Sequence, residues 1–332
     1  VTKVYIVIVN WNGWQDTIEC LESLALLNFP SYRIVLCDNG STNQSLPELR
    51  QWAEARRIQY AEYDLAEAAA GGRPASDPAL VLIRNGANLG FAGGNNVGLR
   101  YALAQGDFSY AWLLNNDTVV DPDALTHLVR RMGQQPAPGI CGSTIRFYHD
   151  RERVQALGGG HYCRWVGLPW HLGRFGFGGT KPDQGRAERW MNYVEGASML
   201  VSREFLLAVG LLCEDYFLYF EEADWAIRGR GRFALGYAPQ SLVYHKVGAS
   251  IGTSSNPARK SPLCDFYSVR NRLLFTRRFY PAALPSVWLV VFAGLMVRLC
   301  LGKWGRAAMI SRLLFTGTDG PALLPPERWT QP

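Results

Sequence analysis

Val4-Tyr5-Ile6-Val7-Ile8-Val9, followed at once by Asn10-Trp11-Asn12-Gly13, is the stretch that decides the fold. An apolar run with no polar position inside it fits a strand buried on both faces, and such a strand needs helices above and below. Outward from it, residues 14–26 read as a helix with Ile18, Leu21 and Leu24 to Leu26 available for packing. Residues 33–37 read as a second strand ending at Asp38, and residues 80–83 as a third. Residues 95–104 read as a helix, and residues 110–114 as a fourth strand ending at Asn115-Asn116-Asp117. This alternation predicts an α/β fold with a mostly parallel central sheet and flanking helices. Ligands of such sheets gather beyond the carboxyl ends of the strands, so Asn10, Asp38 and Asp117 are expected to converge on one crevice.

The chain's 332 residues, 48% hydrophobic and 19% charged, are globular rather than disordered in composition and leave room for one large domain and an appendage. Seven scattered cysteines without a Cys-x-x-Cys pair argue for a reducing compartment and against structural zinc. The chain opens directly on its first strand, with no basic segment or cleavage site before it, which predicts a cytoplasmic location.

The net charge of +6 is unevenly spread. Residues 249–332 carry 11 Lys and Arg against 3 Asp and Glu, whereas the rest of the chain is slightly acidic. That tail also holds the most apolar run, residues 287–297, bracketed by Arg277, Arg278, Arg298, Lys303 and Arg306. As a helix the run rises about 16 Å against a hydrocarbon core of about 30 Å, too short to span it. Two readings stay open: an interfacial helix at the inner face of the plasma membrane, or a core helix docked on the main domain. Nothing in the tail alternates stacking aromatics with basic residues, so nucleic acid is not an expected partner.

Residues 156–190 hold nine of the 34 glycines together with Trp165, Trp170 and Trp190, and read as a long loop or lid over an acceptor. Beyond them comes Phe217-Leu218-Tyr219-Phe220-Glu221-Glu222-Ala223-Asp224-Trp225, with His245 further on in Val243-Tyr244-His245. Half-burying that much negative charge costs several kcal/mol per uncompensated ion, of order ~5, so the acids are expected to serve a proton, a cation or a positive partner.

The turn after the first strand lacks Gly-x-Gly-x-x-Gly, which excludes the usual dinucleotide-binding reading, and no Walker loop is present. The ordered set Val7 to Gly13, Cys37-Asp38-Asn39-Gly40-Ser41-Thr42, Asn88 to Asn96, Leu113 to Thr118, Glu195-Gly196-Ala197, Phe220 to Asp224 and Val243 to His245 resembles the family 2 inverting glycosyltransferases. Within them it is similar to the rhamnosyltransferase and galactofuranosyltransferase-like branch. The resemblance covers roughly residues 3–250, and an Arg270-Asn271-Arg272 segment extends it. It implies a GT-A (Rossmann-like) domain over residues 1–250, a basic and apolar helical extension over 251–332, a nucleotide-sugar donor and Mg²⁺ or Mn²⁺. The acceptor it implies is a cell-surface glycan or a lipid-linked glycan, and a homo-oligomer is compatible with it.

The same resemblance assigns roles. Asp38 would accept the N–H of the donor's base, against the alternative of an Asx-turn over Asn39-Gly40. Asn10 would lie beside the same base. Asn88, Gly90, Asn95 and Asn116 would hold the donor's ribose and diphosphate side, against simple helix capping for the glycine-rich stretch. Asp117, His245 and Asn115 would hold the metal, with asparagine standing where the family has the first acid of Asp-x-Asp. Glu222 matches the catalytic base, usually aspartate, with Glu221 as its neighbour alternative. Asp224 would orient acceptor hydroxyls unless it pairs with Arg228, and Tyr219 and Trp225 would face a sugar ring. The competing functions are a sugar nucleotidyltransferase, whose glycine-rich activating loop is not seen, and a non-catalytic carbohydrate-binding protein, against which Glu222, Asp117 and His245 together speak.

Overall fold

The computed structural model describes residues 2–73, 78–174, 183–247 and 261–316. The opening run forms β1 (Val4–Asn10), and parallel to it lie β2 (Tyr32–Asp38), β3 (Tyr60–Asp64), β4 (Leu80–Arg84) and β5 (Tyr110–Asn115), in the order β3-β4-β2-β1-β5. The connections run through α1 (Trp14–Leu24), α2 (Ser45–Ala55), α3 (Leu65–Ala69) and α4 (Gly90–Gln105). Ile6, Ile8 and Leu36 face α1 and α2 through Leu21, Leu24 and Leu49. Tyr5, Val7 and Val35 face α4 through Val97, Leu99 and Tyr101. Burial on both faces is why β1 and β2 read as unbroken apolar runs. The edge strand β3, with Glu62 and Asp64 among its five residues, gives no such signal.

The register Asn10↔Asp38↔Arg84 on one side and Val9↔Asn115 on the other sets the ends of β1, β2, β4 and β5 at one level. Past β5 the chain runs through β6 (Thr118–Val120) and α5 (Ala124–Gly133), then through β7 (Pro138–Phe147), β8 (Asp150–Leu157), β9 (Gly159–Cys163) and β10 (Leu168–His171). After α6 (Gln184–Trp190) come β11 (Tyr193–Val194), β12 (Ser198–Ser202), α7 (Arg203–Val209), α8 (Glu221–Gly229) and β13 (Ala234–His245). β12 joins the halves of the sheet, antiparallel to both β5 and β7, and β7 to β10 widen it as an antiparallel extension.

The glycine-rich stretch 156–190 is therefore not a loop over its described length: it holds the end of β8, then β9, β10 and α6. Its glycines serve close strand contact, since a methyl group on Gly159 would collide with Tyr193 O and one on Gly160 would lie 2.5 Å from Trp170 O. Residues 175–182 of that stretch, residues 248–250 at the end of the predicted main domain, and residues 251–260 and 317–332 of the predicted extension lie outside the described residues.

The extension is helical: α9 (Pro262–Phe279), α10 (Leu284–Cys300) and α11 (Trp304–Thr316). With the short turn before it, α10 makes a continuous Pro281–Cys300 helix of 20 residues and mean hydropathy 1.9. By length and composition this can cross a bilayer, which corrects the expectation drawn from the 11-residue run at its centre. One face, Val287, Val291 and Leu295, is buried against α9 and α11. The opposite face carries Leu289 (63% exposed), Met296 (44%) and Val297 (57%), continued by Leu301 and Trp304, so docking and an outward apolar surface coexist on one helix.

Candidate active site

A cavity of about 820 Å³ opens at the carboxyl ends of β1 and β5 and continues to α9 and α10. Val9, Trp11, Asn39, Asn88, Gly90 and Asn95 form its first wall. Asn10 and Asp38 lie just behind that wall, both buried. Asp38 Oδ1 accepts from Asn10 Nδ2 (2.8 Å) and Ser41 Oγ (2.6 Å), and Oδ2 accepts from Ser41 N (3.0 Å). Asp38 thus closes the turn over Asn39-Gly40 through Ser41, three residues on, yet Oδ2 keeps one acceptor position uncommitted. Asn39 Nδ2 donates to Asn88 Oδ1 (3.0 Å), which also accepts from Gly90 N (3.0 Å), so Asn88 closes the turn that leads into α4. Asn95 donates back to Phe91 O (2.9 Å).

On the next wall, Asp117 Oδ1 and His245 Nε2 stand 3.1 Å apart, both nearly buried. β13 pairs antiparallel with β6, which sets His245 opposite Thr118 and so beside Asp117. Gln155 Oε1 lies 3.0 Å from His245 Nδ1, so Nδ1–H donates to Gln155 and Nε2 is aimed at the Asp117 carboxylate, to which it donates when protonated. Burial opposes charge on His245, but the Asp117 carboxylate outweighs it and the imidazole is held above its ordinary range. Asn115 lines the same wall, whereas Asn116 donates to Thr17 Oγ1 (3.0 Å) and is partly engaged in the fold. Among the described residues no three acids, histidines or cysteines cluster tightly enough to hold a metal by themselves. Asp117 and His245 fit a divalent cation that takes its remaining ligands from substrate oxygens, as Mg²⁺ and Mn²⁺ commonly do.

The acidic segment forms the third wall, and its placement is the most strongly built feature of the site. Phe217, Tyr219 and Phe220 all have left-handed backbones, with φ of 62°, 70° and 78°. Such conformations cost of order 1–3 kcal/mol each and persist only where surroundings enforce them. Two clamps do so here. Asn271 of α9 donates through Nδ2 to Tyr216 O (2.8 Å), Leu218 O (2.7 Å) and Tyr219 O (3.1 Å), while Phe91 N donates to Phe217 O (2.7 Å). Gly90, itself at φ 71°, is needed because any side chain there would collide with Phe217 O. The turn delivers Glu221 and Glu222 to the first turn of α8, facing the cavity.

The two glutamates differ. Glu221 is buried, its Oε2 has no hydrogen-bond partner, and burial followed by the charge of Glu222 raises its pKa well above the usual range. Glu222 is half-buried, and burial together with the nearby Glu195 carboxylate pushes it up to about 7. Glu195, which follows β11, pairs with His171 of β10 at 2.6 Å. Burial alone would raise Glu195, but His171 outweighs it and holds it ionised, while His171 is raised in turn.

Asp224 departs from its expected role. It is buried behind the site, receiving Arg228 Nε at 2.5 Å, Tyr216 Oη at 3.1 Å and Arg278 at 3.4 Å, and it does not line the cavity. One α-helical turn separates Asp224 from Arg228, so the pairing alternative is the one observed. Trp225 is likewise core, packed edge-on against Phe205 with its Nε1 donating to Gly210 O, whereas Tyr219 does face the cavity. Sequence reasoning gave no role to Glu195, His171, Gln155 or Asn271. Glu195 and Asn271 stood inside quoted motifs, whereas His171 and Gln155 carry no local signal.

Residues 5–191 match the family described as Glycosyl transferase family 2. The chain is 26% identical over 253 residues to the N-acetylglucosaminyl-diphospho-decaprenol L-rhamnosyltransferase of Mycobacterium tuberculosis, covering 70% of this chain and 72% of that protein. It is 24% identical over 229 residues to the low-salt glycan biosynthesis hexosyltransferase Agl10 of Haloferax volcanii, covering 68% of this chain but 61% of the relative's length. Among solved structures, the mannosyltransferase PcManGT from Pyrobaculum calidifontis, in complex with GDP-Man and Mn²⁺, superposes with a TM-score of 0.53 at 14% identity, over 95% of this chain and 83% of that one. S. aureus TarS 1-349 gives the same TM-score at 12% identity, over 94% and 81%. At those identities the likeness is one of fold. Matched over more than half of its length by that family, and sharing the GT-A fold of these enzymes, the chain belongs to glycosyl transferase family 2.

Proposed function

We propose that the protein moves a sugar from a nucleoside-diphosphate donor, dTDP-rhamnose or a UDP-sugar, to a cell-surface or lipid-linked glycan by one in-line displacement with inversion. The observation that carries this reading is Glu222, delivered by a clamped, strained turn into the same cavity as Asp117 and His245. The Glu222 carboxylate takes the proton of the acceptor hydroxyl as its oxygen attacks the anomeric carbon, and the bond from that carbon to the donor's diphosphate breaks. A base with a pKa near the working pH combines a useful ionised fraction with a real driving force for proton transfer. Glu221, more deeply buried and with no partner at Oε2, is less well placed for that task.

At the donor end, Trp11 and Asn39 border the space for the base, with the free acceptor position of Asp38 Oδ2 for its N–H and Asn10 holding that carboxylate in place. Asn88 and Asn95 would face the donor at the start of α4, where Gly90 admits the close approach of Phe217. Asp117 and His245, with Asn115 beside them, would hold Mg²⁺ or Mn²⁺. When bound, the cation offsets the negative charge that develops on the diphosphate. Leu168, Pro169 and His171 of the glycine-rich region form the acceptor side of the cavity.

The outward apolar face of α10 supports a peripheral position against the inner leaflet. A span by α10 is disfavoured because its Arg298 is tied to Asp265 of α9 (2.6 and 3.0 Å) in the cavity wall. The relative from Mycobacterium tuberculosis, named for a diphospho-decaprenol-linked acceptor, supports a lipid-linked acceptor here.

Thermal unfolding with dTDP-, UDP- and GDP-sugars in Mn²⁺ tests the donor assignment. A true donor at 100 times its Kd adds about 2.7 kcal/mol of stability. A chain stabilised by none of them would not be a nucleotide-sugar enzyme.

A further inference from the structure

The cavity does not end at the catalytic acids. Beyond them it is lined by Arg272 of α9, whose guanidinium makes no hydrogen bond or ion pair with any described residue and whose Nε is sealed from solvent without a partner. The side chain is fixed in place: its stem passes so close to Gly167, in the turn between β9 and β10, that a methyl group there would lie 2.9 Å from Arg272 Cγ and 2.8 Å from Val287 Cγ1. The nearby acid cannot neutralise it, since both Asp265 oxygens are taken by Arg298 in a two-pronged pair. Burial lowers the Arg272 pKa to about 10, which still leaves it charged at neutral pH. A desolvated cation without a counter-charge costs several kcal/mol, so its natural complement is an anion from outside the chain.

Beside Arg272 and the Arg298–Asp265 pair the wall is apolar, with Val290, Val291 and Ile310 lining the cavity along α10 next to Gly294. The far side of the same helix is the exposed surface of Leu289 and Met296. An anion site between a sugar-transfer centre and an apolar groove fits one kind of molecule: an amphiphile with its phosphate between a sugar and a long apolar chain. Resting on the cavity's role as a transferase site, we propose that Arg272 binds the phosphate or diphosphate of a lipid-linked acceptor, whose chain leaves along α10. The arginine fork would grip two phosphate oxygens, with the sugar on the Glu222 side and the chain on the Val291 side.

Calorimetric titration of the whole chain with farnesyl diphosphate, farnesol and inorganic diphosphate, in EDTA to empty any metal site, tests this. Wild type is expected to bind farnesyl diphosphate more tightly than either fragment. R272M is expected to weaken it about 10- to 100-fold, the range for losing a charge-assisted pair, without changing farnesol binding. R272K should fall between, because it keeps the charge and loses the fork. Binding of dTDP and UDP, measured with Mn²⁺, should be the same in all three proteins. Equal farnesyl diphosphate binding by wild type and R272M would overturn the assignment, as would no preference over farnesol, or a matching loss of dTDP and UDP binding in R272M. Should these titrations come out as expected while wild type transfers no sugar, the anion site stands and the proposed function fails.

Discussion

The ionisation of Glu222 offers the most quantitative test of the site. At a pKa of about 7, against 4.5 for an ordinary glutamate, ionising this carboxyl in the folded protein costs about 3 kcal/mol more than in the unfolded chain. If Glu222 must be ionised to act, kcat/KM rises through an acid limb centred near pH 7, with about a tenth of the plateau at pH 6 and about nine-tenths at pH 8. An unperturbed glutamate would already give nearly the whole plateau at pH 6. Glu195 is the second-largest cause of the rise, after burial, and His171 opposes it less strongly. Glu195→Gln removes the like charge and leaves His171 without the partner that keeps it charged. Since the Glu195 effect is the larger of the two, the limb moves to lower pH without reaching 4.5. The assay is a pH profile of kcat/KM at saturating metal for both proteins. A wild-type limb at pH 4–5, or a limb that stays put or moves upward in the variant, would refute the reasoning. The same shift has a stability counterpart. A raised carboxyl favours the fold below the unfolded pKa and loses that advantage as pH climbs through 7. Glu222→Gln should therefore be more stable than wild type at pH 8, by up to about 3 kcal/mol, and no more stable below pH 4.5.

Asn271→Ala strips the donor from three carbonyls of the strained turn; urea unfolding should show a loss of about 2–4 kcal/mol, and kcat should fall further than donor affinity. Asp224→Asn should cost about 1–3 kcal/mol, because Arg228 loses its carboxylate while Arg278 keeps Asp215, and the folded fraction should keep near-normal kcat; a large kcat loss in fully folded protein would restore a direct role for Asp224. Asp117→Asn or chelation should remove Mn²⁺-dependent donor binding, and metal-independent turnover would contradict the assignment of Asp117 and His245. Replacing Leu289, Met296 and Leu301 together with serine should reduce flotation on anionic liposomes without lowering the melting temperature, since all three side chains are exposed. Unchanged flotation would remove the membrane surface from the account.

Much of this was legible because it rests on short-range pattern. β1 is an unbroken apolar run since it is covered on both faces, and Asn10, Asp38 and Asn115 mark strand ends that the parallel register then brings level. The antiparallel half was not legible. Gly158, Gly159 and Gly160 look like a loop in sequence, yet they are glycine because neighbouring strands and Tyr193 press against them. Asp224 and Glu222 are two residues apart in one acidic cluster, but helical geometry turns Glu222 toward the cavity and Asp224 toward Arg228 and Arg278. No local rule identifies Gln155 as the partner of His245, or Asn271 as the clamp on a turn 52 to 55 residues earlier. Those contacts exist only once α9 packs on the catalytic domain and β8 lies beside β7. In the proposed site, the asparagine at 115, where the family pattern has an acid, would leave Asp117 and His245 as the two strong ligands.

Single-turnover transfer by Glu222→Gln beside wild type, with donor and Mn²⁺ saturating, tests the central claim most directly. The account predicts that the variant binds donor as wild type does and transfers sugar at least about 100-fold more slowly, the scale of a lost general base. Transfer at the wild-type rate by a folded, donor-loaded Glu222→Gln protein would contradict it.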